Sequence, residues 1–119
     1  MDACLPKMQK NPLMNWNTAF HPILRDKNKL NGKTTVPQSI NLNPEACVLV
    51  ISGPNAGGKS LTLKTCGLLQ CMLQSGLLIP VEPTSKACVF SQIYTDIGDN
   101  QSIDNELSTY SYRLKRMNF

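Results

Sequence analysis

The 119-residue chain has no run of 18 or more apolar residues, which excludes a membrane-spanning helix of ordinary length, and no membrane role is expected. It has no Cys-x-x-Cys pair either. Its five cysteines, Cys4, Cys47, Cys66, Cys71 and Cys88, are dispersed, and the single histidine, His21, cannot complete a Cys/His zinc set. Their odd number, with no secretory signal ahead of them, leads us to expect reduced, mostly buried thiols and a cytoplasmic protein. Aromatic residues are few, at 6%, but 41% of the chain is hydrophobic and no low-complexity tract or internal repeat interrupts it, so disorder throughout is not expected. Acidic residues are short in the first half: residues 1–60 hold seven basic and three acidic side chains, whereas residues 61–119 hold five of each, for a net charge of +4. The N-terminal excess is scattered as Lys7, Lys10, Arg25, Lys27, Lys29 and Lys33 with few aromatics between. That pattern reads as a solvated surface, and nothing in its spacing specifies a nucleic-acid patch.

Against these absences stands a patterned middle. Residues 1–45 are rich in Asn, Lys and Pro, and Pro6, Pro12, Pro22, Pro37 and Pro44 block any long helix. An irregular or short-strand region is expected there, with 1–15 as an irregular N-terminal segment and 16–119 as part of one domain. Cys47-Val48-Leu49-Val50-Ile51-Ser52 is a continuous apolar run rich in β-branched residues and stopped by Gly53, the pattern of a buried parallel strand. From Lys59 to Gln74 a helical stripe runs through Leu61, Thr65, Leu68, Leu69 and Met72, and Gly76 follows where a helix commonly stops. Gly67 inside that helix costs roughly 1 kcal/mol relative to alanine, and the expectation is that it permits a close approach to a sheet. Residues 77–81 and 88–95 are short strand candidates, and 96–105 is a polar loop. Tyr110, Leu114 and Met117 begin a further amphipathic helix with Ser108 as a plausible N-cap.

Between the expected strand and helix lies Gly53-Pro54-Asn55-Ala56-Gly57-Gly58-Lys59-Ser60, which fits G-x-x-x-x-G-K-[ST], the phosphate-binding P-loop, in its proper strand–loop–helix setting. The chemistry explains the residue types. Glycine backbones bend tightly enough to aim successive N–H groups at phosphate oxygens, and the helix that follows adds its positive end. Lys59 offers a cation on a flexible stem for the β- and γ-phosphates of ATP, and the Ser60 hydroxyl can coordinate the bridging Mg²⁺. A P-loop alone does not specify the reaction, because kinases, GTPases, transporters and DNA-processing ATPases all use one.

Outside the loop the residues narrow the field. Gly-Pro-Asn-x-Gly-Gly-Lys-Ser/Thr is the form this motif takes in the MutS mismatch-repair family, and residues 53–60 resemble it at every fixed position. The resemblance continues through Leu63-Lys64-Thr65, Gly67-Leu68-Leu69 and Ser75-Gly76-Leu77-Leu78-Ile79-Pro80, and through Asp96-Ile97-Gly98-Asp99 with Gln101-Ser102-Ile103, which is most like the second bacterial MutS branch, associated with recombination suppression and ribosome rescue. Leu107-Ser108-Thr109-Tyr110-Ser111 resembles the Leu-Ser-Thr-Phe-Ser signature, which implies that Ser108 contacts the nucleotide held by the other subunit of a homodimer; capping a helix is an equally good reading of the same residue. Ala19-Phe20-His21-Pro22-Ile23-Leu24 resembles the Ala-Arg-His-Pro-Leu-Leu segment that opens the ATPase domain, with Phe20 in place of arginine. Asn100 and Tyr112-Arg113 also depart from the pattern.

The resemblance implies an α/β fold, an incomplete three-layer P-loop NTPase core of the ABC-ATPase kind, binding ATP and Mg²⁺ and belonging to a parent that engages mismatched or branched DNA. A second element needed for hydrolysis, an apolar strand ending in Asp and followed by a further carboxylate, is missing from the 119 residues: only Asp96 follows anything strand-like, and Ser91, Gln92 and Thr95 break the run before it. No catalytic residue is therefore expected within this chain, and turnover by it alone is not expected. Two other readings remain open at this point: a truncated, non-enzymatic remnant with at most nucleotide binding, and another P-loop NTPase of ABC or SMC type.

Overall fold

The computed structural model describes residues 2–54 and 58–97. In chain order these form β1 (Lys7–Met8), β2 (Met14–Ala19), α1 (Pro22–Leu30), β3 (Gln38–Leu42), α2 (Lys59–Gln74) and β4 (Lys86–Ala87). The four strands make one mixed sheet in the order β1-β4-β2-β3, with β1 parallel to β4 and the other two pairs antiparallel. The fold class is mixed α/β.

Strand β2 organises the sheet. Its period-2 alternation sends Met14 and Trp16 to one face and Asn15 and Asn17 to the other. Cross-strand partners agree: Met14 lies opposite Leu42 and Ala87, and Trp16 opposite Ile40, so one face of all these strands is apolar. Helix α2 covers that face with Leu69 and Leu73, closing a core of Met14, Trp16, Ala19, Ile40, Leu69, Leu73, Ile79, Val81 and Ala87. A bulge between Trp16 and Ala19 shifts the register against β3 by one residue and leaves Thr18 at φ 52°. Left-handed backbone at a β-branched residue costs roughly 1–2 kcal/mol. The Thr18 hydroxyl donates to Glu82 Oε1 at 2.6 Å, and the Glu82 N–H donates to the neighbouring Asn17 carbonyl, which together hold the kink.

Segment 1–15, expected to be irregular, carries β1 and the start of β2, and Cys4 exchanges backbone hydrogen bonds with Ile79 at 2.9 and 3.0 Å. The prolines do not prevent the nine-residue α1; Pro22 starts it, at a position where a missing N–H costs nothing.

Helix α2 spans the residues expected and ends as expected. Ser75 is its C-cap, Gly76 has φ 81°, and the N–H groups of Gly76 and Leu77 donate to Leu73 and Met72 carbonyls, closing a Schellman motif. Its buried face is rotated from the expected stripe: Thr65, Leu69, Gln70 and Leu73 are buried, while Leu61, Leu68 and Met72 are half-buried. A buried glutamine is invisible to a hydrophobic count. Gly67 is corrected too, since a Cβ there meets no sheet atom; its nearest neighbour is the Thr95 methyl at 3.8 Å, ordinary van der Waals contact. Gly67→Ala is therefore expected to stabilise the chain by about 0.5–1 kcal/mol, through helix propensity and a less flexible unfolded state. A lower midpoint in urea denaturation would show that the site is tighter than this.

The expected strands fare differently. Residues 47–52 form no strand: a buried parallel strand needs neighbours on both sides, none of the described residues pairs with the run, and Val48 and Val50 are 78% and 82% exposed. The three-layer parallel core that this run was expected to begin is accordingly not built by the described residues. Residues 77–81 reduce to the single Cys4–Ile79 bridge, because Pro80 has no N–H to offer and the Val81 N–H turns back onto the Ile79 carbonyl at 2.9 Å. Residues 88–95 do not pair; the strand lies just upstream, at Lys86–Ala87. Asn105, Ser108 and the expected terminal helix lie outside the described residues.

The cysteines are all free. Cys88 is buried, Cys4 and Cys66 are half-buried, and Cys47 and Cys71 are exposed, so burial is less general than expected. Burial pushes the Cys66 thiol above its ordinary pKa, against a smaller lowering by a backbone hydrogen bond. Among the described residues no helix is long and apolar enough to cross a membrane.

Candidate functional site

Both ends of the 53–60 motif are described, and the structure draws them together. Gly53 has φ 150° with open space where a Cβ would stand, and Gly58, at φ 78° and ψ 21°, is the left-handed N-cap of α2. Only glycine adopts both conformations without strain. The Gly58 carbonyl accepts from the Thr62 N–H at 3.0 Å and from its hydroxyl at 3.2 Å, which secures the first turn. Lys59 is half-buried, and its ammonium donates to the Gly53 carbonyl, so the side chain reaches back across the mouth of the loop. Pro54 and Ser60 are exposed. Asn55, Ala56, Gly57 and Ser108, the remaining residues expected at the site, lie outside the described residues.

Electrostatically, this end of α2 is prepared for an anion. The first N–H groups of a helix have no intrahelical acceptor. Among the described residues no side chain caps them, and the first turn carries no acidic residue to offset the positive end of the helix dipole. A negatively charged oxygen placed there would meet those N–H groups, the Lys59 cation and the Ser60 hydroxyl together.

The rest of α2 holds this end in place. Leu69 and Leu73 anchor it in the core, and the Thr65 hydroxyl, fully buried, donates to the Leu61 carbonyl at 2.7 Å. Two glutamines one turn apart then tie the helix to the segment after β4. Gln70 Nε2 donates to the Cys88 carbonyl at 2.9 Å and to Gln74 Oε1 at 2.7 Å. Gln74 in turn accepts from the Phe90 N–H at 2.9 Å and donates to its carbonyl at 3.0 Å, so a side-chain amide satisfies the backbone groups a neighbouring strand would otherwise take. These two residues were missed in the sequence. Their i, i+4 spacing was the available signal, but glutamine on a helix usually faces water.

The Ala19–Leu24 segment has a structural task. His21 Nδ1 accepts from the Leu24 N–H at 3.4 Å as the N-cap of α1, and the Arg25 guanidinium lies 4.1 Å above the Phe20 ring. The aromatic residue at position 20 thus serves as the platform for a cation one helical turn on. Next to it is an open cavity of about 190 Å³ bordered by Thr18, Phe20, Arg25, Pro80 and Glu82.

Comparison with known proteins agrees with the resemblance to the MutS family. Residues 49–119 match the model of the family described as MutS domain V. Endonuclease MutS2 of Finegoldia magna is 49% identical over 117 residues, covering 98% of this chain and 14% of that protein. Endonuclease MutS2 of Lactobacillus acidophilus is 49% identical over 114 residues, 96% of this chain and 14% of that protein. Endonuclease MutS2 of Carboxydothermus hydrogenoformans is 41% identical over 119 residues, 100% of this chain and again 14% of that protein. The chain thus spans about 14% of the length of these relatives. With the family model matched from Leu49 through the helix that carries the motif, and MutS2 proteins similar across the whole length, the chain belongs to the MutS family, in the region of its domain V.

Proposed function

We propose that this chain is the ATP-binding portion of a MutS-type DNA-repair or recombination ATPase. The observation that supports it best is the closure of Lys59 onto Gly53 over a helix N-terminus that has no first-turn acid and, among the described residues, no capping side chain. In this reading the backbone of residues 53–58 cradles the phosphates, Lys59 neutralises the β- and γ-phosphates, and Ser60 supplies a hydroxyl to Mg²⁺. Bound Mg²⁺ would draw charge from the phosphate oxygens. The free run at residues 47–52 becomes the first strand of a P-loop core when further strands of the parent lie beside it. Ser108 reaches the nucleotide of a second subunit in a homodimer, and the parent, working in the cytoplasm, couples ATP binding and hydrolysis to mismatched or branched DNA.

The 119 residues include no apolar strand ending in an acidic pair, so the chain on its own binds nucleotide without turning it over. Thermal melts of the chain with and without Mg²⁺–ATP test this. A ligand at 100 times its Kd stabilises the folded state by about 2.7 kcal/mol. A rise in Tm that saturates with ATP is expected, together with no phosphate release. An unchanged Tm at millimolar Mg²⁺–ATP defeats the binding proposal, and phosphate release that depends on Lys59 defeats the second half of it.

A further inference from the structure

The cavity beside Phe20 is bordered by side chains that nucleotide binding does not use. It opens off the segment that follows the C-terminal end of α2, whereas residues 53–60 lie at the other end of that helix, and the two share no residue. Opposite charges meet there: the Arg25 guanidinium and the Glu82 carboxylate border the same space, yet they form no ion pair with each other. Each is held by a neighbour without being neutralised by it. Arg25 rests on the Phe20 ring, 4.1 Å from its centroid, and its guanidinium has no hydrogen bond among the described residues. Asp2 approaches it only to 4.0 Å, and the Asp2 side chain is fully exposed, so solvent screens that pair. Glu82 uses Oε1 to accept from the Thr18 hydroxyl, and its Oε2 has no partner among the described residues.

Holding the kink of β2 accounts for the bond to Oε1 but not for the second oxygen or for the guanidinium edge. Thr18 keeps a left-handed backbone, φ 52°, that a β-branched residue avoids, and bulges of this kind are common beside binding sites, where they re-aim a side chain. The rest of the wall is apolar: Pro80 and Val81 are buried and line the cavity with Phe20. At about 190 Å³ the space is smaller than the roughly 300–1,000 Å³ of sites for drug-sized ligands, so it is too small for a second nucleotide. We propose that this cavity binds a small zwitterion, a free α-amino acid with a branched aliphatic side chain. Its carboxylate meets the Arg25 guanidinium, its ammonium meets Glu82 Oε2, and its hydrocarbon lies against Pro80 and Val81. A simple anion would leave the Glu82 charge facing it, and a simple cation would face Arg25; a ligand with both charges satisfies the two.

The test is isothermal titration of the full chain, without nucleotide, with L-leucine, and with the two molecules that each lack one of its charges, 3-methylbutylamine and 4-methylpentanoate. Saturable binding of L-leucine is expected, with the amine and the acid each weaker by about tenfold or more, since each forfeits one charge-assisted hydrogen bond. Glu82→Gln keeps a carbonyl oxygen for the Thr18 hydroxyl and removes only the charge; it is expected to weaken L-leucine by about tenfold or more and to leave the Tm of the unliganded chain nearly unchanged. Arg25→Gln is expected to weaken it to a similar degree. The rise in Tm with Mg²⁺–ATP is expected to be the same in Glu82→Gln as in the unmodified chain, which keeps this site separate from the nucleotide site. No saturable binding of L-leucine up to its solubility limit, equally tight binding of the amine or the acid, or an unchanged affinity in Glu82→Gln would overturn the proposal.

Discussion

Lys59→Ala is expected to cut by half or more the rise in Tm that Mg²⁺–ATP produces in the unmodified chain, while leaving the Tm without nucleotide nearly unchanged. The side chain is half-buried and, among the described residues, its hydrogen bond is to the Gly53 carbonyl, at the surface, so removing it disturbs no described core contact. Charge-assisted hydrogen bonds contribute about 1.5–3 kcal/mol each, so losing one proposed contact of the Lys59 ammonium with a phosphate weakens ATP binding by roughly 10- to 150-fold. Isothermal titration at fixed Mg²⁺ measures the change directly. Ser60→Ala distinguishes the two roles: it is expected to reduce the gain in affinity that Mg²⁺ confers and to leave binding in EDTA as it was. If Lys59→Ala binds Mg²⁺–ATP as tightly as the unmodified chain, the phosphates are held elsewhere.

Trp16→Ala is expected to unfold most of the protein. Trp16 is fully buried at the centre of β2, facing Leu69 and Leu73 of α2 within the one core cluster. Truncating a buried tryptophan costs about 3–5 kcal/mol. Small domains have a net stability of about 5–15 kcal/mol, and the described residues of this one form a core cluster of nine, so little margin remains. Chemical denaturation followed by circular dichroism gives the number. Trp16→Phe is expected to cost much less, for a reason particular to this site: the indole Nε1 is buried with no hydrogen-bond partner among the described residues, and phenylalanine removes that N–H along with some volume. A Trp16→Ala chain melting within a few degrees of the original would mean that β2 is not the centre of the core.

Local signals carried α2 and its two ends. A 3.6-residue stripe, a glycine able to take φ 78° before it and another at φ 81° after it are all short-range properties, and the helix spans Lys59–Gln74 as expected. They also make the proposed phosphate motif readable as a pattern, because the chemistry proposed for it depends on residues within one loop and one helical turn. Strand partners are not short-range. The run at 47–52 is as apolar as an interior strand, yet the described residues supply nothing to pair with it, whereas Lys86–Ala87, with no apolar run, pairs on both sides.

By itself, then, the sequence determined the helix and the family, since each is written in contiguous residues whose spacing is set by backbone geometry. Tertiary structure decided the rest. Residues 71 to 79 apart in the chain meet in β4 and its neighbours: Lys7 with Lys86, Asn15 with Lys86, and Leu13 with Cys88. Such contacts depend on which polar groups remain unpaired after collapse, and no window of sequence contains that information. The same pairing turned two unremarkable lysines into neighbours on one face and made a side-chain amide at Gln74 stand in for a strand.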